Sequence, residues 1–311
     1  MTFKRCALAL TAVVVLGAGC GNYSNEDLEF MNALPDKTDL SANLPPAALT
    51  TTNEAELSKD THQTVSTFNG ILDTVLGGVE LIRSYQPTGR GPDSRTWGPI
   101  PDDKQPGWQW QFVMTRLADS TFTYEFDLEP VGAADAWLPF ITGNFDPAPG
   151  VRRGVGSFTL DTSALRDAGF PFDVPTGRID TLTVSYQTKD FPISVTMHLV
   201  SFPNFPLETT TMNTFDTDFG AQADGSGALK FSMTGNFILV TPAIETVEVM
   251  SQWLPSGAGQ ATLTVTAGDG AGMMQTECWD ASFTATYEAK PWGTAAENIG
   301  DPSLCPAIPV I

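Results

Sequence analysis

Histidine is the first residue type to test for chemistry, because imidazole serves both as a general base and as a metal ligand. The sequence contains two histidines, His62 and His198. His198 lies in the alternating run "FPISVTMHLV" on the polar side, beside Thr196, which is typical of a surface or cross-strand residue. No G-x-S-x-G, H-E-x-x-H or P-loop pattern is present. We therefore predict no catalytic residue and no cofactor.

Carboxylates are abundant, with 36 Asp and Glu residues. Pairs of acids, which glycoside hydrolases use, are inevitable at this density, so a glycan-active hydrolase is only the third function to consider. The segment "FDTDFGAQADGSG" brings Asp216, Asp218 and Asp224 close together in sequence, and such oxygen ligands suit Ca²⁺. The spacing is not that of an EF-hand loop, and Asp216 and Asp218 also fit the solvated face of a strand. These three residues are a candidate calcium site, and no other metal site is predicted.

Cysteine is the next reactive residue type, and one of the four cysteines ends a recognisable segment. Lys4 and Arg5 are followed by an almost wholly apolar run from Cys6 to Leu16 and by small residues at 17–19, directly before Cys20. This layout predicts an export signal over residues 1–19. The apolar run is shorter than the roughly 20 residues that a membrane-spanning helix needs.

The five residues Leu16, Gly17, Ala18, Gly19 and Cys20 resemble the lipobox of bacterial lipoproteins, although the leucine lies four residues before the cysteine where three is usual. In that family the cysteine thiol receives a diacylglycerol, and cleavage frees an amine that is also acylated, for example by palmitate. The resemblance implies that Cys20 is lipidated and anchors the protein in the bacterial cell envelope, where two or three acyl chains hold firmly. Gly21 stands where an aspartate would favour the inner membrane, so the outer membrane is expected. Secretion without an anchor and an uncleaved signal are the alternatives.

The charge of the chain excludes one class of partner. The formal net charge is −20, and removing residues 1–19 would take away Lys4 and Arg5 but no carboxylate, giving −22. Nucleic-acid binding needs clustered Lys and Arg to neutralise phosphates. We therefore predict no nucleic-acid partner, and contact with a membrane through the lipid anchor alone.

The two remaining cysteines, Cys278 and Cys305, form an even pair in a chain that is expected to enter an oxidising compartment. We predict a disulfide between them, which would attach the proline-containing tail "GDPSLCPAIPVI" to the body of the protein. Two cysteines without neighbouring histidines are poor zinc ligands. The pair is therefore expected to be structural.

Two segments before the β-rich part of the chain, a predicted tether and a predicted helix, would position a binding site. Residues 20–60 are polar, acidic and proline-bearing, without a lasting period, which predicts a flexible lipidated tether. Over residues 62–84 an apolar stripe recurs every three or four residues and predicts an amphipathic helix. Gly70, Gly77 and Gly78 weaken that helix and would allow close approach to a sheet. The helix would pack on a core or cover a cavity.

From about residue 107 the hydrophobic period changes to two, which is typical of strands with one buried face. The runs "WQWQFVM" and "TFTYEFDLE" are separated by a short turn and predict a hairpin. Short links between most later runs favour antiparallel pairing. We therefore expect residues 61–311 to form one mainly β domain. We expect one antiparallel, strongly curved sheet or barrel of ten to twelve strands, with the N-terminal amphipathic helix packed on it; the alternative is a two-sheet β-sandwich.

Aromatic residues on the apolar sides of these strands are the best indication of a binding site. They could fill a core, line a cavity for an apolar ligand or form a stacking platform for sugar rings. A non-catalytic binding module for a lipid or another apolar molecule is our first expectation, and it predicts an apolar pocket between helix and sheet. An interaction lipoprotein with a protein or glycan partner is the alternative, and it predicts an exposed apolar patch. The candidate aromatics are Trp108, Trp110, Phe112, Phe122, Tyr124, Phe126, Trp279, Phe283 and Tyr287.

Overall fold

The protein is mainly β, and the residues that the structure describes form fifteen strands in a single sheet and a few helices. The computed structural model describes residues 23–45, 54–133, 135–147, 152–202, 213–235, 243–290 and 298–308. The strands are β1 (Gly89–Arg90), β2 (Ser94–Pro101), β3 (Trp108–Arg116), β4 (Phe122–Pro130), β5 (Leu138–Pro147), β6 (Gly154–Asp161), β7 (Ile179–Gln187), β8 (Ile193–Ser201), β9 (Asn213–Ala221), β10 (Gly227–Gly235), β11 (Glu245–Trp253), β12 (Gly259–Ala267), β13 (Met274–Trp279), β14 (Ala285–Ala289) and β15 (Ile299–Gly300). The helices are α1 (Asn25–Asn32), α2 (Lys37–Leu40), α3 (Glu56–Ile82), α4 (Ser163–Asp167) and α5 (Val174–Gly177), with one 3₁₀ turn at Pro302–Leu304.

Each strand pairs with the strands before and after it in sequence, so the sheet is an antiparallel meander. Such pairs need only short connections, which the sequence supplies between most strands. The predicted hairpin is confirmed: β3 and β4 pair in one continuous register from Trp108 opposite Pro130 to Arg116 opposite Phe122. The antiparallel mainly β fold is therefore confirmed.

The finer prediction of the sheet is wrong in strand number and in shape. The sheet has fifteen strands where ten to twelve were expected, and it is open and not strongly curled. Two-residue strands such as β1 and β15 give no alternating pattern in sequence, which explains the undercount. They also end the sheet with very short edges, a common way to avoid further pairing. Because all fifteen strands belong to one sheet, the two-sheet sandwich is also wrong.

The long helix α3 packs its apolar stripe on one face of the sheet, which we call the inner face. Seven predicted stripe residues are buried: Val65, Phe68, Leu72, Val75, Leu76, Val79 and Ile82. At its start α3 contacts β11 to β13, and near its end Tyr85 accepts a hydrogen bond through its carbonyl from Nε1 of Trp97 on β2. The helix therefore crosses the inner face. It begins at Glu56, six residues before the predicted start.

Residues 23–45 are folded onto the domain, in contrast to the flexible tether that was expected for residues 20–60. Phe30 of α1 is fully buried and meets Phe122 of β4 edge to face, with ring centroids 5.3 Å apart. Asn69 of α3 exchanges two hydrogen bonds with the backbone of Ala42. The contact partners of residues 23–45 are distant in sequence, so the composition of the segment did not reveal them; residues 20–22 and 46–53 of the expected tether lie outside the described residues.

The predicted disulfide between Cys278 and Cys305 is present and joins β13 to the C-terminal segment. Cys20 and the whole lipobox lie outside the described residues. Among the residues that the structure describes, no helix combines the length and apolar composition that crossing a bilayer requires.

Candidate functional site

A cleft of about 660 Å³ lies between α3 and the inner face of the sheet. We call it the helix–sheet cleft. Its position and size match the pocket expected for a bound apolar molecule. Four parts of the chain line it: Asp73, Thr74, Val75, Gly77 and Gly78 of α3; Asp102, Lys104 and Gln105 of the β2–β3 turn; Phe126, Leu128, Phe140, Ile141, Leu160 and Ile179 of β4 to β7; and Phe170, Phe172, Asp173 and Thr176 of the β6–β7 connection.

The floor of the helix–sheet cleft is apolar. Leu128, Ile141, Leu160 and Ile179 are buried inner-face residues of four successive strands, β4 to β7. They lie side by side because alternate residues of each strand point to the same face. The floor therefore offers a hydrophobic surface without a charged group.

Two adjacent glycines, Gly77 and Gly78, form part of the helical wall. Outside the backbone of α3 itself, a Cβ atom built on either would meet no atom within 4 Å. Neither glycine is therefore required for close approach of helix and sheet, in contrast to the role that the sequence suggested for them. Each glycine costs a helix roughly 1 kcal/mol relative to alanine. The absence of side chains at these positions leaves the cleft open on the helix side.

A chain of aromatic rings surrounds the cleft from β3 to the β6–β7 connection. Trp110 stacks on Phe126 with centroids 5.6 Å apart. Phe126 meets Phe140, and Phe140 meets Phe172, each pair at 6.2 Å. The last links are Phe172 to Phe170 at 4.8 Å and Phe170 to Trp108 at 5.0 Å. The β6–β7 connection is thus held over the cleft by aromatic contacts.

The mouth of the helix–sheet cleft carries charge. Asp73, Asp102 and Asp173 come from three different elements, and Lys104 is the single basic residue among the described residues that line the cleft. Asp102 accepts backbone hydrogen bonds from Lys104 and Gln105, and Asp173 accepts one from Thr176. The cleft is therefore apolar inside with a mostly acidic rim.

The structure separates the nine aromatic residues that the sequence placed in one candidate site. Phe126 lines the cleft, and Trp108 and Trp110 support it through the ring contacts above. Phe112, Phe122 and Tyr124 are buried further along β3 and β4. Trp279, Phe283 and Tyr287 belong to the β13–β14 region near the other edge of the sheet, where Phe283 contacts His62. Reasoning from the sequence did not single out Phe140, Phe170 and Phe172; the alternating "FPF" directly after Gly169 is the signal that could have found two of them.

The candidate calcium residues do not converge. Asp216 and Asp218 lie on the outer face of β9, and Asp224 is in the following turn, where it accepts hydrogen bonds from Ser226. Asp216 is paired with His198 of β8, and both side chains are about half exposed. Within the described ranges, no three His, Cys, Asp or Glu side chains are grouped so that they could hold a metal ion.

One carboxyl group has the raised pKa expected of a general acid, but its position is structural. Burial raises the pKa of Glu277 on β13 to about 7, and the neighbouring Glu288 acts in the same direction. Glu277 is 1% exposed, and its two oxygens accept the backbone N–H groups of Glu56 and Leu57 at the start of α3. It does not line the helix–sheet cleft. Glu277 therefore caps α3.

Comparison of the chain with known proteins finds no matching family model, no similar curated protein and no similar solved structure. The geometry of the cleft is thus the basis on which a function is assigned.

Proposed function

We propose that this protein is a non-catalytic binding module that holds a lipid or another apolar molecule in the helix–sheet cleft. The cleft itself is the observation that carries the proposal. Its volume of about 660 Å³ falls within the range of natural ligand sites, and its apolar floor is surrounded by aromatic rings. Burying an apolar chain there would release water from these surfaces, which is the main favourable contribution to such binding.

The glycines of α3 favour binding over simple core packing. A helix that only packed on the sheet would gain stability from alanine or leucine at Gly77 and Gly78, because no neighbouring atom forbids a side chain. Glycine at these positions costs helix stability and keeps a volume free. At Gly77 and Gly78 this open space borders the cleft and is available to a ligand.

The test is to fill the cleft from the helix side. Gly77→Leu places a side chain beside the cleft, and Gly70→Leu is its matched control: Gly70 is also in α3 and also has free space around it, but it does not line the cleft. The purified proteins are titrated with N-phenyl-1-naphthylamine, a neutral apolar dye that fluoresces when buried. We expect one dye per wild-type chain, at least about tenfold weaker binding to Gly77→Leu, and wild-type binding to Gly70→Leu. No binding to the wild type, or equal loss in both variants, would refute the proposal.

We also propose that the module is a lipoprotein anchored through Cys20 in the bacterial cell envelope, at the outer membrane. Its support is the resemblance of residues 16–20 to a lipobox. Metabolic labelling with palmitate and mass spectrometry of the N-terminal peptide test this directly. We expect acylated Cys20 and no label in Cys20→Ser; unmodified Cys20 in the mature chain would contradict the anchor while leaving the cleft proposal untouched.

The alternative, an interaction lipoprotein, receives less support. The exposed large apolar residues of the described ranges are distributed over α1, several turns and the four strands β6, β11, β13 and β15, for example Leu28, Phe191 and Met274. Scattered apolar residues are normal on a protein surface. The cleft is the more specific feature.

A further inference from the structure

We propose that the ligand of the helix–sheet cleft is an amphiphile with a positively charged head group, whose apolar chain lies on the floor and whose head lies at the mouth. This inference rests on the proposed function, since it concerns the same cleft. It adds the charge class of the ligand.

The first support is the charge around the mouth. Three carboxylates, Asp73, Asp102 and Asp173, line the cleft with one ammonium group, that of Lys104. Lys37 also approaches Asp73, with 3.7 Å between Nζ and Oδ1. Because Lys37 partly neutralises Asp73, the negative charge at the mouth comes mainly from Asp102 of the β2–β3 turn and Asp173 of the β6–β7 connection, on two sides of the cleft. An anionic head such as a carboxylate or phosphate would be repelled there, whereas a cation would be attracted.

The second support is independent of the carboxylates. Phe140, Phe170 and Phe172 are half-buried and line the cleft on the side of the β6–β7 connection. The faces of aromatic rings attract cations through their quadrupole, and quaternary ammonium groups are commonly bound among such rings. Anions gain nothing from these faces. Aromatic rings beside carboxylates therefore favour the same head group.

The third support is the separation of polar and apolar surface within the cleft. The charged residues belong to turns and to the exposed side of α3, while the floor of Leu128, Ile141, Leu160 and Ile179 contains no polar side chain. A molecule with a single polar end satisfies both surfaces at once. A molecule charged along its whole length would bury charge on the floor without a partner.

The experiment compares three probes with the same dodecyl chain, each used below its micelle concentration: dodecyltrimethylammonium, dodecyl maltoside and dodecyl sulfate. Calorimetric titration of the purified chain should give at least about tenfold tighter binding of the ammonium than of the sulfate. The formal net charge of −20 attracts any cation, so a mutational control is needed.

The variants are Asp102→Asn with Asp173→Asn, compared with Asp269→Asn in the β12–β13 turn, which lies outside the cleft. An amide oxygen still accepts the backbone hydrogen bonds of both turns, so the loop structure is retained. We expect the preference for ammonium over sulfate to fall to about threefold or less in the double variant and to remain in Asp269→Asn.

The outcomes separate the two proposals. Equal affinities for all three probes, tighter binding of the sulfate, or a preference that persists in the double variant would overturn the head-group inference and leave the binding function standing. Absence of binding by every probe would overturn both.

Discussion

Arg95 donates a hydrogen bond from Nε to Oδ1 of Asp27 at 2.6 Å, although neither side chain is more than 2% exposed. Asp27 also completes a capping box with Ser24 at the start of α1. Burial alone would raise the pKa of Asp27, but hydrogen bonds from the Ser24 N–H and from Arg95 lower it to about 2. The pair joins the N-terminal segment to β2 at one edge of the sheet.

We predict that Asp27→Asn destabilises the protein by about 3 kcal/mol at pH 7, because Arg95 loses its buried counter-ion and keeps only the exposed Glu26. Chemical unfolding in urea measures the change. Glu29→Gln removes one of the two exposed partners of Arg116, the other being Asp93, and serves as the control, with an expected loss below about 1 kcal/mol. The stability contributed by Asp27 is present above its ordinary pKa near 3.8 and should be lost as the pH falls towards 2. Equal effects of the two substitutions would contradict a special role of the buried pair.

The N-terminal segment shows why local sequence signals were insufficient. The capping residues of α1, Ser24 and Asp27, are three positions apart and readable from the sequence alone. The partner Arg95 is 68 residues away, and its burial depends on the packing of Phe30 below its guanidinium, 4.8 Å from the ring centroid. A polar, acidic composition therefore predicted a tether where long-range contacts build a packed edge.

The raised pKa of Glu277 predicts a second pH dependence of protein stability, opposite in sign to that of Asp27. Its pKa is raised to about 7, so its contribution to stability is complete below its ordinary value near 4.5 and is lost as the pH rises through 7. Glu277→Gln cannot titrate, and its amide group offers one acceptor where the carboxyl offers two to the N–H groups of Glu56 and Leu57. We expect Glu277→Gln to be less stable than the wild type at pH 5, with a smaller difference at pH 8. Thermal unfolding across this range is the measurement.

The matched control for this prediction is Glu125→Gln, which changes an exposed carboxylate of β4. Its difference from the wild type should remain nearly constant between pH 5 and pH 8. A pH-independent difference for Glu277→Gln as well would show that Glu277 is charged in the folded protein throughout, and the proposed sign would be wrong.

The candidate site was only partly predictable, for a similar reason. Alternation correctly placed Trp108, Trp110, Phe112 and Met114 on one buried face of β3. It could not reveal that Phe170 and Phe172, in an irregular connection, pack back over that face. Nor could glycine content distinguish close helix–sheet packing from open space at Gly77, because glycine occurs in both arrangements.

Two buried tyrosines allow a test of whether buried hydroxyl groups contribute to the stability of the protein. Tyr124 and Tyr186 are 1% and 4% exposed, and burial raises both phenol pKa values. The two hydroxyls lie close enough to interact with each other, but within the described residues neither has a hydrogen-bond partner of good geometry. Replacing both by phenylalanine removes two buried polar groups that gain little from their surroundings. We predict that Tyr124→Phe with Tyr186→Phe is as stable as the wild type or more stable in urea unfolding. A loss above about 2 kcal/mol would mean that the hydroxyls are satisfied by a buried partner such as water.

If the helix–sheet cleft binds an apolar ligand as proposed, the contact between Phe170 and Trp108 should slow the release of that ligand. Phe170 is half-buried and holds the β6–β7 connection over the cleft through ring contacts at 5.0 Å with Trp108 and 4.8 Å with Phe172. Phe170→Ala removes both contacts and loosens this side of the mouth. Phe215→Ala, which truncates a half-buried phenylalanine of β9 outside the cleft, is the control. Stopped-flow displacement of bound dye should show at least about fivefold faster dissociation from Phe170→Ala, while Phe215→Ala should release the dye at the wild-type rate. Equal dye release from the two variants would mean that the aromatic chain is only part of the core. A closing role of Phe170 requires faster release from Phe170→Ala than from Phe215→Ala, because both variants lose core packing but only Phe170→Ala loosens the mouth of the cleft.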